Sequence, residues 1–130
     1  MVSDRFGCSD PPLYLHESSY DSVQDRLDLS SLAVIACPVF SSDLVPSFWD
    51  LLDNISCHRP IPCILVVSCG QNKLFCRSKV RTAADRILRL GFSHVEILSI
   101  DSTYGLVKGE LLPKHISRFR SACDSVLRYL

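Results

Sequence analysis

Residues 61–69, Ile-Pro-Cys-Ile-Leu-Val-Val-Ser-Cys (IPCILVVSC), decide the fold. The run is continuously apolar instead of alternating, which suits a central parallel strand covered on both faces. A second run of the same kind, SLAVIACPVF, occupies Ser31–Phe40. His94–Ile100 (HVEILSI) reads as a third strand and Leu13–Glu17 (LYLHE) as a weaker fourth.

Amphipathic helical patterns lie between these runs. Leu44, Phe48, Leu51, Leu52 and Ile55 recur at helical spacing, with Ser41, Ser42 or Asp43 available as N-cap and Pro46 in the first turn. Val80, Ala83, Ala84, Ile87 and Leu90 form the next apolar stripe, and Gly91 is placed to end it as a C′ residue. Ile116, Phe119, Cys123, Val126 and Leu130 mark a last helix behind Pro113, and a short early helix fits Tyr20–Leu27. Alternation of strands and helices predicts an α/β fold. It should be a three-layer parallel sheet of about four strands with helices on both faces, Rossmann-like or GTPase-like but without a P-loop. Residues 1–30 read as an acidic N-terminal segment with a weak strand and helix, and residues 31–130 as the α/β domain, together one compact domain.

The 130 residues carry 14 basic and 14 acidic side chains, and the zero sum conceals a split. Residues 1–56 hold nine acids against Arg5 and Arg26, a net of −7; residues 57–130 hold twelve bases against five acids, a net of +7. The 47% hydrophobic share argues against disorder. No basic segment followed by an apolar run opens the chain, and the apolar runs are too short to cross a bilayer. Seven cysteines in no framework spacing read as reduced thiols, so the expected location is intracellular, cytoplasmic or nuclear.

Chemistry at a site is hard to assemble. Cys57, His58, Cys63, Cys69 and Cys76 fall close together, but on one strand Cys63 and Cys69 would stand roughly 20 Å apart, too far for one tetrahedral ion. No metal site is expected. Ligands of open parallel sheets bind beyond the carboxyl ends of the strands. If a pocket exists there, its residues are Asp43, Asn72, Lys73, Asp101 and Ser102. The glycines form neither GxxxxGK[ST] nor GxGxxG, so no phosphate cradle and no cofactor are expected. GxSxG is absent, and Cys69 or Cys76 beside Lys73, Arg77 and Lys79 lacks a positioned base; no catalytic residue is assigned.

From Leu32 onward the order of elements resembles the C-terminal half of Ras-like small GTPases. The second strand runs into Asn72-Lys73-Leu74-Phe75, compared with the family's N-K-x-D motif, and the third into Asp101-Ser102-Thr103, compared with its Ser-containing base-binding loop. Phe75 stands where the family has its base-reading Asp, and there is neither a P-loop nor a DxxG. The resemblance therefore implies a pseudoGTPase, a GTPase-shaped scaffold with the general look of centromere protein M. A fainter resemblance, in the Trp-containing helix and the Pro-led strand Pro60–Cys69, is to an α/β segment of the germinal-centre-associated nuclear protein.

Arg77, Lys79, Arg81, Arg86 and Arg89 crowd into one helix, and Arg118, Arg120 and Arg128 follow in the last. Arginine favours bidentate contacts with carboxylate or phosphate. The expected function is a non-catalytic protein–protein interaction module, a scaffold or adaptor subunit of a larger complex, that docks an acidic protein through Arg77, Arg81, Arg86, Arg89 and an exposed Trp49. The alternatives are a nucleotide-binding or hydrolytic enzyme using the strand-end rim, and nucleic-acid binding through the basic half. The last is weaker, because no aromatic residues interleave the bases for stacking; membrane binding is not expected. The acidic first half is also placed to pack beside the basic helices and neutralise them.

Overall fold

The computed structural model describes residues 11–40, 42–69, 76–101, 106–107, 110–111 and 113–130. Helix α1 (Tyr20–Leu29) leads into strand β1 (Ala33–Phe40), the two-residue β2 (Asp43–Leu44), helix α2 (Pro46–Asn54) and strand β3 (Pro62–Cys69). Helix α3 (Arg77–Arg89), strand β4 (His94–Asp101), a short β5–β6 pair (Leu106–Val107 and Glu110–Leu111) and helix α4 (Pro113–Leu127) follow.

The main sheet runs β2-β1-β3-β4. β1 and β3 are parallel, from Ala33 opposite Cys63 to Val39 opposite Cys69, and β3 and β4 are parallel, from Pro62 opposite His94 to Cys69 opposite Asp101. This is the α/β class expected, an open four-stranded sheet with helices on both faces. One strand is corrected. Leu13–Glu17 forms a turn, closed by the Glu17 N–H donating to the Tyr14 carbonyl at 3.0 Å. The fourth strand is instead β2, antiparallel to β1 through Val39–Leu44 and Phe40–Asp43. Only Leu15 of the earlier segment packs on the core, so its short alternation never had a neighbour to pair with.

The tight β1–β2 reversal also moves the start of α2. Ser42 takes a positive φ of 71° there, and Asp43 is held in β2 with its Oδ1 accepting the Leu44 N–H at 2.8 Å. The helix therefore begins later than the Ser41–Asp43 cap expected, with Val45 at the N-cap and Pro46 at its first position. Proline serves there because that N–H has no intrahelical partner to lose. The end of α3 is as expected: Leu90 is the C-cap, and Gly91 follows it at φ 109°.

Burial on β3 explains the layers. Its odd-numbered side chains, Cys63, Leu65, Val67 and Cys69, enter the larger core with Phe48, Leu51 and Leu52 of α2 and Val80, Ala83 and Ile87 of α3. Ile64 faces the other way, into a smaller core with Leu98, Phe119, Cys123 and Val126. Two consecutive crossovers moving the same way across a sheet place their helices on one face when they share one hand. α2 and α3 do so, and α4 covers the opposite face. α1 joins the larger core through Val23 and Leu27. It is tied down by Gln24, whose amide donates to the Ser56 carbonyl at 2.8 Å and accepts the Ser56 N–H at 2.9 Å.

The two apolar runs differ in cover. β3 is buried along nearly its whole length, but β1 alternates. Val34, Ala36, Pro38 and Phe40 are exposed, because α4 packs over β3 and β4 and leaves the same face of β1 bare. Apart from the two residues paired with β2, β1 is also an edge strand among the described residues.

Candidate functional site

Of the strand-end residues that the sequence pointed to, Asp43 is the one whose side chain is described. Its Oδ1 lies 3.4 Å from the Trp49 indole Nε1, and its Oδ2 lies 3.7 Å from Lys79 Nζ. The carboxylate thus joins β2, α2 and α3 and acts as a bracket between elements. Asp101 is paired with Cys69 across the β3–β4 ladder, which puts it at the same end of the sheet. Its side chain, with Asn72, Lys73 and Ser102, lies outside the described residues.

Two buried thiols stand at that end. Cys69 closes β3 and Cys76 is the N-cap of α3; they are 3% and 4% exposed, with the sulfur atoms 3.1 Å apart. Sequence reasoning considered each as a nucleophile needing a base, whereas the fold brings them together as a pair. Their joint position at the two ends of one strand-to-helix connection was the available signal. Among the described residues no group of three or more His, Cys, Asp or Glu side chains is placed to hold a metal ion. The histidines are engaged elsewhere: His58 Nδ1 is 2.9 Å from Asp28, His94 Nε2 is 3.2 Å from Glu96 with its ring stacked on Tyr129, and His115 is buried at the start of α4.

The other cysteines behave as core. Cys63 is fully buried, and desolvation, seconded by the charge of a Cys57 thiolate, pushes its thiol up to about 12 from the ordinary 9.0. Desolvation pushes Cys37 up as well. A raised folded-state value means that the native chain prefers the protonated thiol. The stabilisation is complete below about pH 9 and is lost as pH climbs from about 9 toward about 12. Chemical denaturation across that window should show falling stability in the wild type and a flatter profile in Cys63→Ala, each compared with its own value at neutral pH. Parallel slopes would refute the assignment.

The basic helix is more occupied than its sequence implied. Arg86 pairs with Asp53 of α2 and lies 5.5 Å over the Trp49 ring. Trp49 is half-buried against the larger core, packed edge-on to Phe48, instead of exposed as expected. Arg77, Arg81 and Arg89 are exposed. Asp53–Arg86 and Asp43–Lys79 are contacts between the acidic and basic halves, and they fold part of the charge asymmetry into the molecule.

What the sequence reading missed is the bare face of β1. Val34 pairs with Ile64, Ala36 with Val66 and Pro38 with Ser68, so these side chains share the face that α4 covers farther along. Phe40, at the end of the strip, is 67% exposed. Pro38 was the readable signal, since a residue with no N–H to donate belongs on an edge strand.

The chain matches no protein-family model and no curated protein sequence. Among solved structures it is similar to the crystal structure of an NADPH-quinone reductase from P. pentosaceus. The TM-score is 0.64 at 10% identity, over 95% of this chain and 85% of that one. The likeness fixes the fold. It is an open, Rossmann- or flavodoxin-like α/β fold. The resemblance to Ras-like small GTPases is thereby corrected, and with it the pseudoGTPase of centromere protein M type and the segment of germinal-centre-associated nuclear protein: the structural likeness is to a reductase. Parallel α/β domains share an order of elements whatever their family, so that order carried less than it suggested. Among the described residues no helix is long and apolar enough to cross a membrane.

Proposed function

We propose that the chain is a non-catalytic interaction module, a scaffold or adaptor subunit that docks an acidic, amphipathic segment of a partner protein. The observation that carries this reading is the apolar strip Val34, Ala36, Pro38 and Phe40 on β1, an edge strand among the described residues except where Val39 and Phe40 pair with β2. Contiguous exposed apolar surface on an edge is a hazard unless something covers it. The adjoining helix α4 exposes Lys114, Arg118 and Arg120 on the same side of the sheet, and Arg128 is exposed just past its end. An apolar stripe flanked by carboxylates complements this combination of bare strand and basic helix. Arg77, Arg81 and Arg89 of α3 offer a second basic face on the other layer for the same kind of partner, with Arg86 and Trp49 engaged within the fold.

The test compares capture by the wild type, Phe40→Asp and Arg118→Glu/Arg120→Glu, each checked for folding by circular dichroism. Partners that use this surface should be lost by about tenfold or more in both variants, the size of effect that altering an aromatic or arginine anchor of an interface has. One such partner, purified, should bind the wild type with an affinity that weakens in salt. Recovery unaffected by Phe40→Asp would overturn the reading. A wild-type dimer in light scattering that Phe40→Asp dissolves would overturn it too, by assigning the strip to a second copy.

The likeness to a reductase favours one other reading, in which the strand-end rim around Asp43 and Asp101 takes a nucleotide cofactor. A thermal shift with NADPH or with nucleotides and magnesium distinguishes the two, since a ligand selective for the folded state raises the melting temperature once it exceeds its dissociation constant.

A further inference from the structure

From the contact between Cys69 and Cys76 we infer an oxidant-reactive dithiol site, in which these two residues form a reversible intramolecular disulfide. The inference stands apart from the docking surface. The sulfur atoms lie 3.1 Å apart, and a disulfide needs about 2.0 Å, so an approach of about 1 Å completes the bond. Cys69 ends the central strand and Cys76 caps α3, both set by regular elements, so the approach is between two positioned groups. Both are shielded, at 3% and 4% exposure, which favours a small oxidant over a protein disulfide. Cys57, by contrast, is partly exposed and donates its thiol hydrogen to the Arg59 carbonyl at 2.8 Å.

The oxidant class is a hydroperoxide. One thiolate attacks the terminal peroxide oxygen and the O–O bond breaks, giving a sulfenic acid and an alkoxide that takes up a proton to leave as the alcohol; with hydrogen peroxide the released group is hydroxide, which leaves as water. The second thiol then attacks the sulfenic sulfur, the S–S bond forms and a second water leaves. In sum two thiols and one hydrogen peroxide give one disulfide and two waters: the sulfurs lose two electrons and the peroxide gains them. The bond would join the carboxyl end of β3 to the start of α3 and bracket residues 70–75, among them Asn72 and Lys73 of the strand-end rim. A thiol reductant reverses it by exchange.

The experiment treats the full chain with graded hydrogen peroxide, blocks remaining thiols by alkylation under denaturing conditions, and maps peptides without reduction. The expected first product is a Cys69–Cys76 cross-linked peptide, with loss of two titratable thiols and recovery of both on adding dithiothreitol. In Cys69→Ala and Cys76→Ala the remaining partner should instead be trapped as a sulfenic acid by dimedone. The wild-type map decides the matter should either variant fail to fold. Oxidation of Cys57 with Cys69 and Cys76 still reduced, a linkage of either to another cysteine, or direct conversion of the pair to sulfinic acids would overturn the inference.

Discussion

Gly91→Ala should lower the stability of the fold by about 2–4 kcal/mol with little change in the denaturant slope, because two independent penalties meet at one carbon. Gly91 follows the C-cap of α3 at φ 109°, a backbone region that L-residues rarely occupy. A Cβ built there lies 2.5 Å from the Cys57 carbonyl oxygen, well inside contact distance. That carbonyl has little freedom to retreat. The Cys57 N–H donates to the Leu90 carbonyl at 2.9 Å, so the segment entering β3 is fastened to the same helix end. Relief would need the α3 terminus or the approach to the central strand to move, and both feed the larger core through Ile87 and Ile61. Urea unfolding followed by circular dichroism measures the effect. A loss below about 1 kcal/mol would mean that the turn accommodates a side chain and that the close approach is not a constraint.

Gly91 was legible in the sequence because a helix that ends needs a left-handed residue after its last apolar position, and that requirement is local. β3 was legible for a related reason: burial on both faces leaves an unbroken apolar run whatever the neighbours. β1 shows where such reading stops. Its composition resembles that of β3, but cover depends on how far α4 extends across the sheet, which is a tertiary outcome. Only Pro38 hinted at the edge. The start of α2 was displaced because a two-residue strand claimed Asp43, and a pairing that short leaves no periodicity to detect. Trp49 and Arg86 looked like surface residues on separate helices, and the contacts of Arg86 with Trp49 and Asp53 exist only once α2 and α3 lie side by side. The dithiol is a feature of the same kind, since sequence spacing places Cys69 and Cys76 seven positions apart without saying that the two thiols meet. Kinship was the least legible property, for an order of strands and helices is common to many parallel sheets.

The two faces of the central strand should respond unequally to truncation, and the pair Leu65→Ala and Ile64→Ala measures the difference. Both residues are fully buried and adjacent in sequence, so backbone propensity and strand position nearly cancel between them. Leu65 points into the larger core, enclosed by β1, α2 and α3. A void there is bounded by three elements that are themselves pinned, α3 by the Gly91 turn and α2 by its pairing with Arg86. Collapse is limited, and the loss should fall in the upper part of the range of about 2–5 kcal/mol for such truncations. Ile64 faces α4 alone, beside Leu98, Phe119, Cys123 and Val126. With β1 bare on that side, α4 can settle inward and refill part of the space, so the loss should lie near the lower end of the same range. Hydrogen exchange adds a positional readout. Ile64→Ala should speed exchange chiefly in α4, and Leu65→Ala should speed it through α2, β3 and α3 together. Equal losses, or an Ile64→Ala effect spread over α2 and α3, would mean that the two cores melt as one unit and that the smaller face is no softer than the larger.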